Sequence, residues 1–128
     1  MGFPSPAKDY EEKSLSLDEM CISRPAATFF MHSRHGAPRT GVLAGALLVI
    51  DRSVKPIHGS IVVVEFAGDL VICRYVVSPR RRFDNLELPG QTIPIPDDDD
   101  VDGLQCWGVV TWVINNMREG EMDDCPAM

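Results

Sequence analysis

A mainly β, compact fold with an extended N-terminal arm is what this chain predicts, and three observations carry that expectation. From Ala26 onward, short runs of β-branched and aromatic residues alternate with Gly/Pro/Asp turn chemistry. No stretch of that region has the apolar periodicity of a helix long enough for a bundle. Ahead of it, residues 1–24 are charged and punctuated by Pro4 and Pro6, and a proline fixes its own φ while biasing its predecessor toward extended backbone. Several short, turn-separated strands with little helix favour a small barrel or sandwich.

The elements follow in order. Residues 1–24 read as an arm with room for a helical turn or two and intermittent anchors at Tyr10, Leu15, Leu17, Met20 and Ile22. Ala27–Met31 is a first strand, and Gly45–Asp51 is an apolar run of the kind found in buried strands. Ser60–Phe66 and Leu70–Val77, joined by Ala67-Gly68-Asp69, form a β-hairpin. Residues 78–90 are a loop-rich crossing with at most one short strand. Ile93-Pro-Ile-Pro is extended, and its prolines confine it to a sheet edge. The acidic run Asp97–Asp100 is a solvated tip, since four consecutive residues cannot converge on one ion. Cys106–Asn115 is a long closing strand, and residues 119–128 a loose tail. The organisation is therefore an arm (1–24), one domain (25–118) and a tail (119–128).

Composition narrows the function. A chain of 128 residues, 45% of them apolar, is long enough to bury a core as one domain. Nineteen acidic against twelve basic side chains leave a formal charge of -7, which disfavours adhesion to nucleic acid or anionic membrane. Arg80-Arg81-Arg82 with Arg74 is the local exception, either a solvated turn or a patch for phosphates or an acidic partner. Cys21, Cys73, Cys106 and Cys125 show no CxxC and no paired histidine spacing, so buried reduced thiols are favoured over a zinc site or disulfide framework. No secretory leader and no apolar run near eighteen residues stand in the sequence, which points to the cytoplasm. Trp107 and Trp112, five positions apart on one strand, point to opposite faces, one into the core and one toward a surface or interface. No cofactor is expected.

The stretch from Ala26 to Asp51 is built as strand, turn, strand, a common mount for a catalytic nucleophile. Its tip holds Gly36, Ala37 and Pro38, none of which can attack a substrate.

Gly2-Phe-Pro-Ser-Pro-Ala7 with Asp9-Tyr10, Pro25-Ala-Ala-Thr-Phe-Phe30, Gly45-Ala-Leu-Leu-Val-Ile-Asp51, His58-Gly-Ser-Ile-Val62 and Trp107-Gly-Val-Val110 with Met117-Arg118 follow one another as in the UmuD proteins. These are the SOS mutagenesis members of the LexA-like, S24-type serine peptidase family. The resemblance runs from Gly2 to Arg118, with one deletion near Gly41. It implies the LexA/signal-peptidase-like β fold and a serine–lysine dyad, the serine in a Gly-Asp-Ser-Met turn and the lysine on the second strand of the hairpin. That lysine must be desolvated to be neutral and serve as base. The resemblance further implies self-cleavage of the arm on a RecA filament, dimerisation, and association with a UmuC-type Y-family polymerase.

Matched residue by residue, the turn becomes His35-Gly36-Ala37-Pro38, which puts Ala37 at the nucleophile position, and counting from His58-Gly59 puts Cys73 at the lysine position. Arg74 cannot stand in as base, because a guanidinium stays protonated. The Gly-Asp pairs also lose their acids, at Ala46 and Ser60. The Met1-Gly2 start falls where such proteins are cut. The expectation is a pseudo-peptidase without catalytic residues or metal, Ala37 and Cys73 being vestigial. It would homodimerise and support a UmuC-type translesion polymerase, with no sequence-specific DNA binding of its own and no membrane contact. Two alternatives stand beside it. One is a decoy that heterodimerises with an active UmuD or LexA-like protein. The other is a replacement Cys73–His35 nucleophile pair facing the old cleft.

Overall fold

The computed structural model describes residues 16–96 and 106–118. It contains one antiparallel sheet of seven strands: β1 (Thr28–His32), β2 (Leu47–Asp51), β3 (Ile61–Phe66), β4 (Asp69–Val76), β5 (Arg82–Asn85), β6 (Thr92–Pro94) and β7 (Cys106–Ile114). Their order across the sheet is β1-β2-β7-β3-β4-β5-β6. The mainly β fold class holds. The runs of acid residues at 97–100, most of the arm (1–15) and the tail (119–128) lie outside the described residues.

Within the described part of the arm is a short helix, α1 (Leu17–Cys21). Ser16 caps it, its Oγ accepting from the Glu19 N–H at 3.3 Å, the serine-to-glutamate spacing typical of a helix start. Asp18 and Glu19 sit in the first turn, where the helix dipole favours negative charge. Arg24 then reaches β2, its Nη1 3.2 Å from Asp51 Oδ2, and a single 3-10 turn (Pro25–Ala27) delivers the chain into β1.

The β3–β4 hairpin is as expected, though its loop is only Ala67-Gly68, because Phe66 pairs with Asp69. Both loop residues have positive φ, 55° and 85°, as the tight turn matching strand twist requires. β6 lies at a sheet edge, as its prolines demand. β7 inserts between β2 and β3, so the last strand is central. It carries register shifts opposite Val63/Val64 and Val49/Ile50. Gly108 lets β2 approach, since a Cβ there would lie 2.6 Å from Ile50 Cγ2.

Strand alternation divides the core in two. Val62, Val64, Cys73, Tyr75, Phe83, Ile95 and Val109 form one cluster. Val63, Ile72, Leu48 and Ile50 form the other, against Ala37, Val42 and Ala46 of the segment between β1 and β2. Burial of this kind is the main favourable contribution to folding, about 25 cal/mol for each Å² of apolar surface removed from water. The end of β1 and the start of β4 line one cavity although three strands separate them, so the sheet curls toward closure.

Candidate functional site

The site is the turn between β1 and β2, and its backbone is tied at every step. Ser33 exchanges bonds with Ala46 and Gly45, its N–H donating to Ala46 O at 2.8 Å. The Ser33 hydroxyl oxygen accepts from the Gly36 N–H at 2.9 Å. Ala37 and Val42 bond reciprocally around a 3-10 turn, Pro38–Thr40, which ends on Gly41 at φ 84°. From β7, Asn115 clamps the far side: its Oδ1 accepts from Leu43 N–H at 3.0 Å and its Nδ2 donates to Gly41 O at 2.8 Å.

Gly36 has φ 75°, and a Cβ on it would lie 2.8 Å from Ala44 N and 2.9 Å from Val42 O. Both are backbone atoms, so no side chain fits there without moving the turn. Position 36 is thus closed to aspartate in this fold. Ala37 beside it is fully buried, packed toward Leu48, Ile50, Val63 and Ile72.

Cys73 is also fully buried. It sits on β4 between Val62 and Asn85 and packs in the cluster of Tyr75 and Phe83. Its neighbour Ile72 joins the Ala37 cluster instead. Successive residues of a strand face opposite ways, so Ala37 and Cys73 belong to different faces of the sheet and are not brought together. Burial, then the Glu87 and Asp84 carboxylates and the Cys106 thiol, push the Cys73 thiol up to about 12.

The alternative of a Cys73–His35 nucleophile pair facing one cleft is not supported by this geometry. His35 is exposed and lines a cavity of about 400 Å³ with Arg34, Asp69 and Glu87, and Cys73 is absent from its lining. Glu87, one of the lining residues, accepts the Ile72 N–H at 2.9 Å. A thiol held protonated and sealed in the opposite face cannot serve as a nucleophile there.

The arginines do not converge into one patch. Arg82 pairs with Asp84 at 2.9 Å and donates to Ser78 O. Arg81 donates to Pro96 O and Arg74 to Gly59 O. Among the described residues no group of three or more His, Cys, Asp or Glu side chains is placed to hold a metal ion. Cys21 and Cys73 are free thiols.

The tryptophans divide the work. Trp107 is half-buried, edge-on to Phe29 at 5.3 Å between centroids, with the Arg52 guanidinium 4.7 Å from its ring. Trp112 is 42% exposed. The register Phe30↔Val49↔Trp112, followed two residues on by His32↔Leu47↔Ile114, sets these side chains on one face. Phe30, Trp112 and Ile114 are all exposed on it, over a buried Val49. No helix among the described residues is long and apolar enough to cross a membrane.

Comparison with known proteins places this geometry. Residues 1–100 match the family described as Peptidase S24-like. Protein ImpA of Salmonella typhimurium is 42% identical over 120 residues, 92% of this chain and 79% of that protein. Protein SamA of Salmonella typhimurium strain LT2 is 38% identical over 118 residues, covering 91% and 80%. Protein MucA of Escherichia coli is 37% identical over 113 residues, covering 86% and 75%.

Proposed function

The chain belongs to the UmuD-like branch of the S24-like peptidase family, and from that premise we propose that it serves SOS mutagenesis by binding and not by cutting. The reading is a pseudo-peptidase that homodimerises, associates with a UmuC-type Y-family polymerase in the cytoplasm, and supports synthesis across DNA damage. The observation that carries it is the burial of both dyad positions, Ala37 and Cys73, in separate clusters, beside a Gly36 that leaves no room for a side chain. A serine–lysine pair needs a hydroxyl within hydrogen-bond reach of its base and open to substrate. Neither position meets that need.

What the fold offers instead is surface. The exposed row of Phe30, Trp112 and Ile114 is apolar and contiguous across β1, β2 and β7, the kind of patch that marks a protein contact.

The test is complementation of damage-induced mutagenesis, with recovery of a UmuC-type protein on the tagged chain. Restored mutagenesis and retained polymerase are expected. Suppressed mutagenesis, without polymerase retention, would instead favour a decoy acting on an active relative. Proteolysis is tested separately: the native chain leaves a UmuD-type substrate uncut beside a RecA filament, and cleavage by it would overturn the assignment. A37S/C73K is expected to stay inactive too, because the two positions lie in separate clusters; cleavage by that variant alone would refute the separation and not the loss of the dyad.

A further inference from the structure

The root of the arm is fastened to the end of β2 at two levels. Along the backbone, Arg24 O accepts from the Ala27 N–H at 3.0 Å and from the Thr28 hydroxyl at 2.8 Å, and Ala27 O accepts from the Arg52 N–H at 2.9 Å. Through side chains, Arg24 Nη1 donates to Asp51 Oδ2 at 3.2 Å. Ser53 takes the other carboxylate oxygen, so among the described residues Arg24 is what answers Oδ2. The two partners differ in access. The Asp51 side chain is 7% exposed and that of Arg24 59%.

Upstream of Arg24 the hold is slight. The five residues of α1 fall far below the length at which a helix stands alone in water. Its backbone bonds, from Met20 N–H to Ser16 O and from Ile22 N–H to Asp18 O, stay within the segment. Among the described residues no hydrogen bond or ion pair joins residues 16–23 to the sheet. Leu17 and Met20 are largely exposed, and Cys21 alone of α1 is buried. A segment with so little covered surface belongs to the part of a fold that opens locally at small cost. Pro25, with its fixed φ, and the 3-10 turn it begins form the rigid side of the hinge.

We propose that the Arg24–Asp51 pair is a latch on the arm. Closed, it seats residues 16–24 with Cys21 covered; open, it releases them as a unit from a sheet that stays folded. Because solvent reaches Arg24 and not Asp51, the latch opens from the arginine side, by screening or by a competing carboxylate. The device is independent of whether the chain serves a polymerase.

The Cys21 thiol reports the latch and Cys73 the sheet, so alkylation of the full chain by iodoacetamide, mapped by mass spectrometry, reads both in one sample. R24Q is expected to label Cys21 at least about fivefold faster than wild type, the scale of an ion pair open to water on one side, with Cys73 unmodified. D51N gives a similar rise, and adding R24Q to it gives no further one, since both changes break one contact. R24K keeps the charge and holds Cys21 near the wild-type rate. Raising salt from about 0.05 to about 1 M speeds Cys21 labelling in wild type and not in R24Q. Hydrogen exchange at the Met20 and Ile22 amides rises in step, free of any effect on thiol chemistry. Unchanged labelling and exchange in R24Q and D51N would overturn the proposal by showing that α1 is held by its own packing. Additive effects of the two changes, or joint labelling of Cys21 and Cys73, would overturn it as well, the latter by assigning the opening to the whole sheet.

Discussion

Asp51 keeps its charge although its side chain is only 7% exposed. Burial alone would raise its pKa, but the Ser53 hydroxyl and N–H both donate to Oδ1, at 2.6 and 2.8 Å, and Arg24 answers Oδ2. These bonds outweigh the loss of water and hold the carboxyl below its ordinary value. A depressed folded-state pKa stabilises the protein above the unfolded value, near pH 4, and that stability is lost as pH falls through the folded value. D51N is therefore expected to cost about 1 kcal/mol at neutral pH. Urea unfolding across pH should show the gap to wild type closing below about pH 4; a gap independent of pH would refute the linkage. Cys73 gives the opposite case, a group kept neutral. Iodoacetamide at neutral pH should leave it unmodified in the native chain and label it in denaturant, as peptide mapping would reveal. Native labelling at a rate equal to a free thiol's would mean that the strand opens or that the site is not sealed.

At the level of elements, the tightest hairpin carries a small local cost. Ala67 adopts φ 55° in the two-residue loop between β3 and β4, where an L side chain meets its own carbonyl. Asparagine tolerates that conformation, and Asn-Gly is the favoured pair for such a turn. A67N should gain about 0.5–1 kcal/mol, read as a higher urea midpoint at an unchanged slope; a lower midpoint would show that the turn is not the one described. This hairpin was legible in the sequence because β-branched residues and a glycine turn are local signals. So was the edge position of β6, which Pro94 and Pro96 enforce through their missing N–H groups. The first strand was off by one residue, Thr28–His32 in place of Ala27–Met31. The central place of β7 was not legible, because pairing with β2 and β3 is decided by contacts forty residues or more away. The unpaired residue Thr111 between Val110 and Trp112 also breaks simple alternation, so five-residue spacing alone does not set the tryptophan faces. Resemblance singled out Ala37 and Cys73, and their separation onto two faces was not legible, because it depends on how the segment between β1 and β2 packs. The Asn115 clamp has no local signature at all.

On the scale of the whole molecule, the fold buries Ala37 and Cys73 in its two core clusters and exposes an apolar face. Phe30, Trp112 and Ile114 are 54%, 42% and 39% exposed, and they line up across three hydrogen-bonded strands with Val49 sealed beneath. An aromatic at the centre of such a row is the usual anchor of an interface, and truncating an anchor costs 2 kcal/mol or more of binding. That loss corresponds to about thirtyfold in Kd. The fold itself should be indifferent, since Trp112 gives little of its surface to either core cluster. W112E is accordingly expected to melt within a few degrees of wild type while its self-association or its retention of a UmuC-type protein weakens by about thirtyfold or more. Sedimentation of the purified chain and co-purification with the polymerase separate the two contacts. If both survive the charge at position 112, the face is idle and the binding surface must be sought on the hairpin side, where Phe66 and Leu70 are also exposed.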